Sequence, residues 1–225
     1  MASLKIIGHR GAKGLAPENT IASLLKAIEH HVDEIECDVR VTKDNVAVLL
    51  HDDYLVDHAG TKLAVIKHTY AELLAHKSDL ARMDDAIRAV NRVVPIQFEI
   101  KPTVVIHPAV TVLKHFLKNG WEPTDFLIGS FSYATLREAQ TELPEIQKVV
   151  IEDWCGLRAV LRARRLGTKR LSINRWWIWR GSVQSLANRG YLVYPYTVNN
   201  NGRVYALAKY GLSGVITDFP DRFDN

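Results

Sequence analysis

Two histidines and three carboxylates stand where apolar runs of the chain end. Glu36 and Asp38 are two apart within the β-rich run 34–42, so they project to one face of a strand while Cys37 projects to the other. Glu99 and Lys101 repeat that spacing at the end of the run 96–100. Charged side chains are costly to bury unless they are paired or hold a metal. Three carboxylates among apolar strand residues are therefore poor core material and good ligands for one divalent cation. An oxygen-only donor set suits Mg²⁺ or Ca²⁺ better than zinc, and such an ion can hold a phosphoryl oxygen and act as a Lewis acid. His9 and His51 bring rings that titrate near neutrality, fit for a general acid and a general base. Arg10 can grip phosphate oxygens with two parallel N–H bonds, and Lys101 can neutralise them as a point charge. Together these residues can carry out metal-assisted cleavage of a phosphodiester. The plainer readings are that Glu36 and Asp38 pair with a cation inside a core, that Lys101 is that cation, and that His9 caps a strand end.

These residues need a scaffold that delivers several strand ends to one place. Short β-rich runs at 5–8, 34–42, 46–50, 96–100, 126–129, 148–151, 170–173, 192–196 and 214–216 alternate with mostly amphipathic stretches. In the first such stretch Ile21, Leu24, Leu25 and Ile28 fall at i, i+3, i+4 and i+7, one buried helical stripe. Nine runs are one too many for an eightfold barrel. A parallel crossover takes roughly a dozen residues, yet only Lys43-Asp44-Asn45 separates the second run from the third. Asp-Asn in so short a loop favours a tight hairpin, so the third run becomes an antiparallel arm on the second strand.

Eight parallel strands remain, which predicts an α/β fold, a (β/α)8 TIM barrel whose active site lies at the carboxyl ends of the strands. His9-Arg10, Glu36 with Asp38, and Glu99 with Lys101 fall at such ends, and His51-Asp52 ends the arm. Residues 52–81 read as a short, irregular insertion over that face, and the nine residues after Ile216 leave little room for a full eighth helix. A doubly wound open sheet would call for a glycine-rich phosphate turn after the first strand, and Gly8-His9-Arg10-Gly11 is not one.

The 225 residues, close to the ~250 of a typical barrel, show no linker or composition break, so one domain over 1–225 is expected. A net charge of +4 is too mild and too dispersed to argue for nucleic acid. Cys37 and Cys155 match no metal or disulfide framework and fit a reducing compartment. With no secretory signal and no apolar run of ~18 residues, the expectation is a cytoplasmic enzyme without stable membrane insertion.

The ordered set His9-Arg10, Glu36-x-Asp38 and His51 resembles the signature of the glycerophosphodiester phosphodiesterase family, a group of phospholipase C-like TIM barrels. Further blocks resemble it at successive strand ends: Pro17-Glu18-Asn19-Thr20, Thr42-Lys43-Asp44, Phe98-Glu99-Ile100-Lys101-Pro102, Gly129-Ser130-Phe131-Ser132, Tyr196-Thr197-Val198-Asn199 and Thr217-Asp218-Phe219-Pro220-Asp221. The resemblance implies Glu36, Asp38 and Glu99 as ligands of one Mg²⁺ or Ca²⁺, His9 and His51 as the acid–base pair, and Arg10 and Lys101 on the phosphate. It implies a small-molecule glycerophosphodiester substrate, hydrolysed to sn-glycerol 3-phosphate and an alcohol. Attack by water and attack by the glycerol hydroxyl through a cyclic phosphate are both compatible with these residues. So are a phospholipase D-like or cyclising activity on lysophospholipids and, from another class, an inactive barrel that binds phospholipid headgroups. Intact His9 and His51 count against the last. The chain departs from the family pattern in a short segment after His51, in His58 where Arg is common, in Ala81-Arg82-Met83-Asp84 for a Pro-Thr-Leu-type block, and in Tyr196 for a frequent Trp.

Other features carry less. Glu18 and Asn19 read as helix-start residues, Asn being a favoured N-cap. Arg158, Arg162 and Arg165 read as a solvated helix face. His30, His31, His68, His76, His107 and His115 lack ligand spacing and read as surface. Trp176, Trp177 and Trp179 either form an apolar wall or membrane contact, or pack their indoles onto the barrel.

Overall fold

The computed structural model describes residues 4–57, 59–154 and 156–223; His58 and Cys155 lie outside them. Among the described residues eleven strands form, in chain order β1 (Lys5–His9), β2 (Glu34–Val41), β3 (Ala47–Leu49), β4 (Tyr54–Val56), β5 (Lys62–Ala64), β6 (Ile96–Ile100), β7 (Phe126–Ser130), β8 (Gln147–Glu152), β9 (Arg170–Asn174), β10 (Leu192–Tyr196) and β11 (Gly214–Thr217). Eight of them pair in parallel in the order β10-β9-β8-β7-β6-β2-β1-β11. Between β10 and β11 the ladder gives way to isolated bonds. Ser213 N donates to the Val193 carbonyl at 3.2 Å, and Val193 N donates to Ser213 Oγ at 3.0 Å. The sheet is a nearly closed barrel, as the count of parallel strands predicts.

Helices α1 (Ile21–Glu29), α2 (Tyr70–His76), α3 (Met83–Val90), α4 (His107–Lys118), α5 (Tyr133–Glu142), α6 (Gly156–Leu166), α7 (Arg180–Ala187) and α8 (Asn201–Ala208) complete the chain, α2 lying in the insertion. Among the described residues after β11 there is a 3₁₀ turn, Pro220–Phe223, and no further helix. The main core lies between strands and helices, where Cys37, Val39, Phe98 and Leu171 meet Leu24, Ile87 and Leu113. Inside the barrel smaller clusters, Ile7 with Tyr194 and Ile216, and Leu127 with Val149 and Ile151, fill the lumen.

β3 pairs antiparallel with β2 through Val39↔Leu49, Arg40↔Val48 and Val41↔Ala47. Asn45 takes the left-handed φ of 61° that closes this hairpin. Residues 52–81 are more regular than their sequence suggests. β4 and β5 form a hairpin, and Leu55, Val65, Leu73 and Leu80 close a satellite core on Val48 of β3. The strands of this hairpin are only three residues each, too short for an alternation to stand out, and Tyr54 and Val56 are exposed although apolar. Among the described residues no helix is long and apolar enough to cross a membrane.

Candidate active site

β2 carries the site. Its alternation puts Glu34, Glu36, Asp38 and Arg40 on one face, and each has a different partner. At the base, Glu34 meets Arg170 Nη2 at 2.7 and 2.6 Å, both side chains buried. Two residues up, Glu36 is 3 % exposed; its Oε2 accepts from the Arg10 backbone N–H at 3.0 Å, while Oε1 is buried with no partner. Burial first, then the charges of Asp38 and Glu99, push the Glu36 carboxyl well above the usual carboxylate range. Glu99 on β6 is raised as well, by burial and by Asp38, with Lys101 opposing. Asp38 goes the other way. Burial would raise it, but Lys101 and Arg10 outweigh that and hold it below its ordinary value. Oxygens of Glu36, Asp38 and Glu99 all lie within 4.8 Å of one another.

Lys101 is buried, bonded to Glu99 and within 2.5 Å of Asp38 Oδ1, so here it is the neutralising partner of the cluster. Arg10 Nε lies 3.1 Å from Asp38 Oδ2, and its Nη1 donates to Glu18 Oε1 at 2.7 Å. The loop after β1 makes this reach possible. Arg10 adopts φ 51°, and Gly11 follows at φ 84° so close to α1 that a Cβ would sit 2.3 Å from Ser23 Oγ.

The helix start differs from the expectation for Asn19. Thr20 is the N-cap of α1, accepting from Ser23 N. Asn19 is buried at φ 57° and clasps Asp38, donating from Nδ2 to Oδ2 at 2.8 Å and accepting from the Asp38 backbone at 3.0 Å. A hydroxyl one residue later was the better cap, which freed the amide to orient a carboxylate.

Both histidines are tethered through Nδ1. His9 Nδ1 lies 2.6 Å from Asp218 Oδ1, and Asp218 Oδ2 accepts from Asn199 Nδ2 at 2.8 Å. Burial would raise the Asp218 carboxyl, but the bonds from His9 and Asn199 prevail and lower it. An ionised carboxylate only accepts, so His9 Nδ1 carries the proton and Nε2 is left for chemistry. His51 Nδ1 lies 2.8 Å from Asp52 Oδ1. Its ring titrates below the ordinary histidine value because of burial, only partly opposed by Asp38 and reinforced by Lys101 and Arg10. Arg40 fixes the His51 backbone, donating from Nε and Nη2 to its carbonyl at 3.1 and 2.8 Å.

Sequence reasoning gave no role to Asp218, Asn199 or Arg40. Arg40 was accessible, as the next member of the Glu36, Asp38 alternation. Elsewhere on the rim, Arg158 and Arg162 are not a free solvated face. Arg158 Nε donates to buried Glu152 at 2.6 Å, and Arg162 Nη1 donates to the Phe131 carbonyl at 3.1 Å. The indoles of Trp176 and Trp179 are largely exposed, while that of Trp177 is about half exposed and donates from Nε1 to the Asp153 carbonyl at 2.6 Å.

The chain as a whole is similar to known proteins. The model of the glycerophosphoryl diester phosphodiesterase family matches residues 9–222. A glycerophosphodiester phosphodiesterase of Caldanaerobacter subterraneus is 26% identical, the match covering 98% of this chain and 96% of that one. A phosphodiesterase of Oleispira antarctica, solved in complex with the product sn-glycerol-3-phosphate, superposes with a TM-score of 0.85 at 27% identity, covering 97% of this chain and 94% of the other. The glycerophosphodiester phosphodiesterase of Thermotoga maritima shares the fold, with a TM-score of 0.81 at 22% identity over 99% and 98% of the two chains. With the family model spanning the barrel from the first histidine to the last turn, the chain belongs to the glycerophosphoryl diester phosphodiesterase family.

Proposed function

We propose that the protein hydrolyses glycerophosphodiesters to sn-glycerol 3-phosphate and an alcohol, with one divalent cation, Mg²⁺ or Ca²⁺, held by Glu36, Asp38 and Glu99. The observation that carries this reading is the carboxylate cluster with an orphaned buried oxygen on Glu36, beside two imidazoles each tethered through Nδ1. A buried carboxylate oxygen without a donor is costly, and a hard cation is the partner that this all-oxygen set fits. When bound, the cation supplies Lewis-acid polarisation of the phosphoryl group.

The remaining work falls to the chain's own side chains. Arg10, whose Nη2 has no hydrogen bond among the described residues, binds a phosphate oxygen, and Lys101 adds its charge. His51, whose ring titrates below the ordinary histidine value, takes the proton of the attacking oxygen as the new O–P bond forms. His9 carries a proton on Nε2 and gives it to the alcohol oxygen as the old P–O bond breaks; the Asp218 carboxylate stabilises the ring's positive charge before transfer. Product analysis with glycerophosphocholine, in EDTA and with Mg²⁺ or Ca²⁺ restored, tests the reading. Metal-dependent release of sn-glycerol 3-phosphate supports it; a cyclic phosphate as final product, or no cleavage, overturns it.

A further inference from the structure

Four of the chain's five tryptophans share one part of the catalytic face. Trp154 follows the carboxyl end of β8, Trp176 and Trp177 follow that of β9, and Trp179 caps α7. They are 72 %, 73 %, 46 % and 63 % exposed, and Leu157 in the first turn of α6 is 64 % exposed. Trp154, Trp176 and Trp177 line an open recess of about 570 Å³ together with Asp153 and Asn174. The platform is held firmly: Trp177 Nε1 donates to the Asp153 carbonyl at 2.6 Å, and Asp153 Oδ1 accepts from Tyr196 at 2.6 Å and from Asn174 at 3.1 Å. Large apolar groups clustered and left in water mark a contact surface.

The charge around them identifies the partner. From Trp154 to Thr217 the sequence holds eleven Arg and Lys residues and no Asp or Glu; of these Arg170 is spent on Glu34 in the barrel base and Arg158 and Arg162 on Glu152, which leaves Arg175 and Arg180 as the cations that adjoin the tryptophans in the chain. The rest of the chain is net acidic. Arg175 lies 5.0 Å over the Trp176 ring and Arg180 lies 4.7 Å over the Tyr210 ring, and among the described residues neither has a carboxylate partner. Indoles with an apolar body and one N–H donor are best placed at the headgroup level of a bilayer, and arginines beside them bind lipid phosphates. An anionic leaflet attracts such a patch without any spanning segment.

We propose that this tryptophan–arginine rim docks the protein peripherally on anionic phospholipid surfaces, with the barrel mouth facing the lipid. Docking needs neither the cation nor turnover, so its test is separate from that of the hydrolase. Co-sedimentation with vesicles of phosphatidylcholine, with and without phosphatidylglycerol, is the measurement. The wild type is expected to sediment with the phosphatidylglycerol vesicles and to be released by salt. Trp176→Ala/Trp179→Ala, or Arg175→Glu/Arg180→Glu, should weaken sedimentation about tenfold or more, with thermal melting showing the variants folded. Three results overturn the proposal: no wild-type sedimentation with either vesicle, undiminished sedimentation of the tryptophan variant, or a wild-type dimer in gel filtration that the tryptophan variant dissolves.

Discussion

Asp218 and His9 are 209 residues apart in the chain and 2.6 Å apart between Oδ1 and Nδ1. Parallel pairing of β1 with β11 brings them together, Gly8 lying opposite Thr217. Asp218 touches no reacting atom; it is a positioning residue that orients the His9 ring through Nδ1 and stabilises its protonated form. Asp218→Asn is expected to lower turnover by about 10²–10⁴-fold, because the amide no longer stabilises the protonated His9 ring, while the barrel stays folded. Steady-state kinetics with melting curves checks this.

The same pair has a pH signature. The folded Asp218 carboxyl lies below its ordinary value of 3.8, so its contribution is fully present above that value. It is lost as pH falls through the depressed folded value. The stability gap between wild type and Asp218→Asn should therefore stay level from about pH 7 to pH 5 and shrink below about pH 3.8; urea unfolding across that range reads it. A gap that instead widens as pH falls below about 3.8 would mean that the carboxylate is not stabilised in the fold.

Arg40 holds the His51 carbonyl with two N–H groups. Arg40→Ala should displace the ring and cost about 10²-fold in kcat, the scale of a small misplacement of a catalytic group. Lysine can restore one donor but not the fork, so Arg40→Lys should recover only part. Equal activities in all three proteins would detach Arg40 from catalysis.

Glu36 is repelled by Asp38 and Glu99 in the metal-free site. Glu36→Gln should be at least as stable as the wild type in EDTA, yet lose the rise in melting temperature that Mg²⁺ or Ca²⁺ gives the wild type. Calorimetry with and without each ion separates the two effects.

Glu34 and Arg170 are paired inside the base of the barrel, away from the site. Glu34→Ala leaves a buried guanidinium unpaired and should cost about 3–5 kcal/mol, while Glu34→Leu/Arg170→Met should lose much less. Denaturant titration of both variants checks the contrast.

The strands and the carboxylate cluster were legible because both follow local rules. Alternation in β2 put Glu36 and Asp38 on one face, and the three-residue loop made β3 an arm. What escaped depends on contacts that only the closed barrel creates. Nothing near Asp218 in sequence points to His9, and nothing near Asn199 points to Asp218. Asn19 looked like a cap because capping is the local use of asparagine, but Thr20 took that place and Asp38 took the amide. Arg158 looked solvated because its spacing is helical, yet Glu152 lies just before α6 at the end of β8 and claims it. The exposure of Trp176 could not be read from composition, since buried and exposed indoles share one alphabet.

The most direct measurement is the turnover of His9→Ala, His51→Ala and the double variant on glycerophosphocholine, with metal binding followed alongside. Each single variant is expected to lose about 10²–10⁴-fold in kcat with its affinity for the ion intact, and the double variant far less than the product of the two. Full turnover in either single variant would contradict a two-histidine acid–base mechanism.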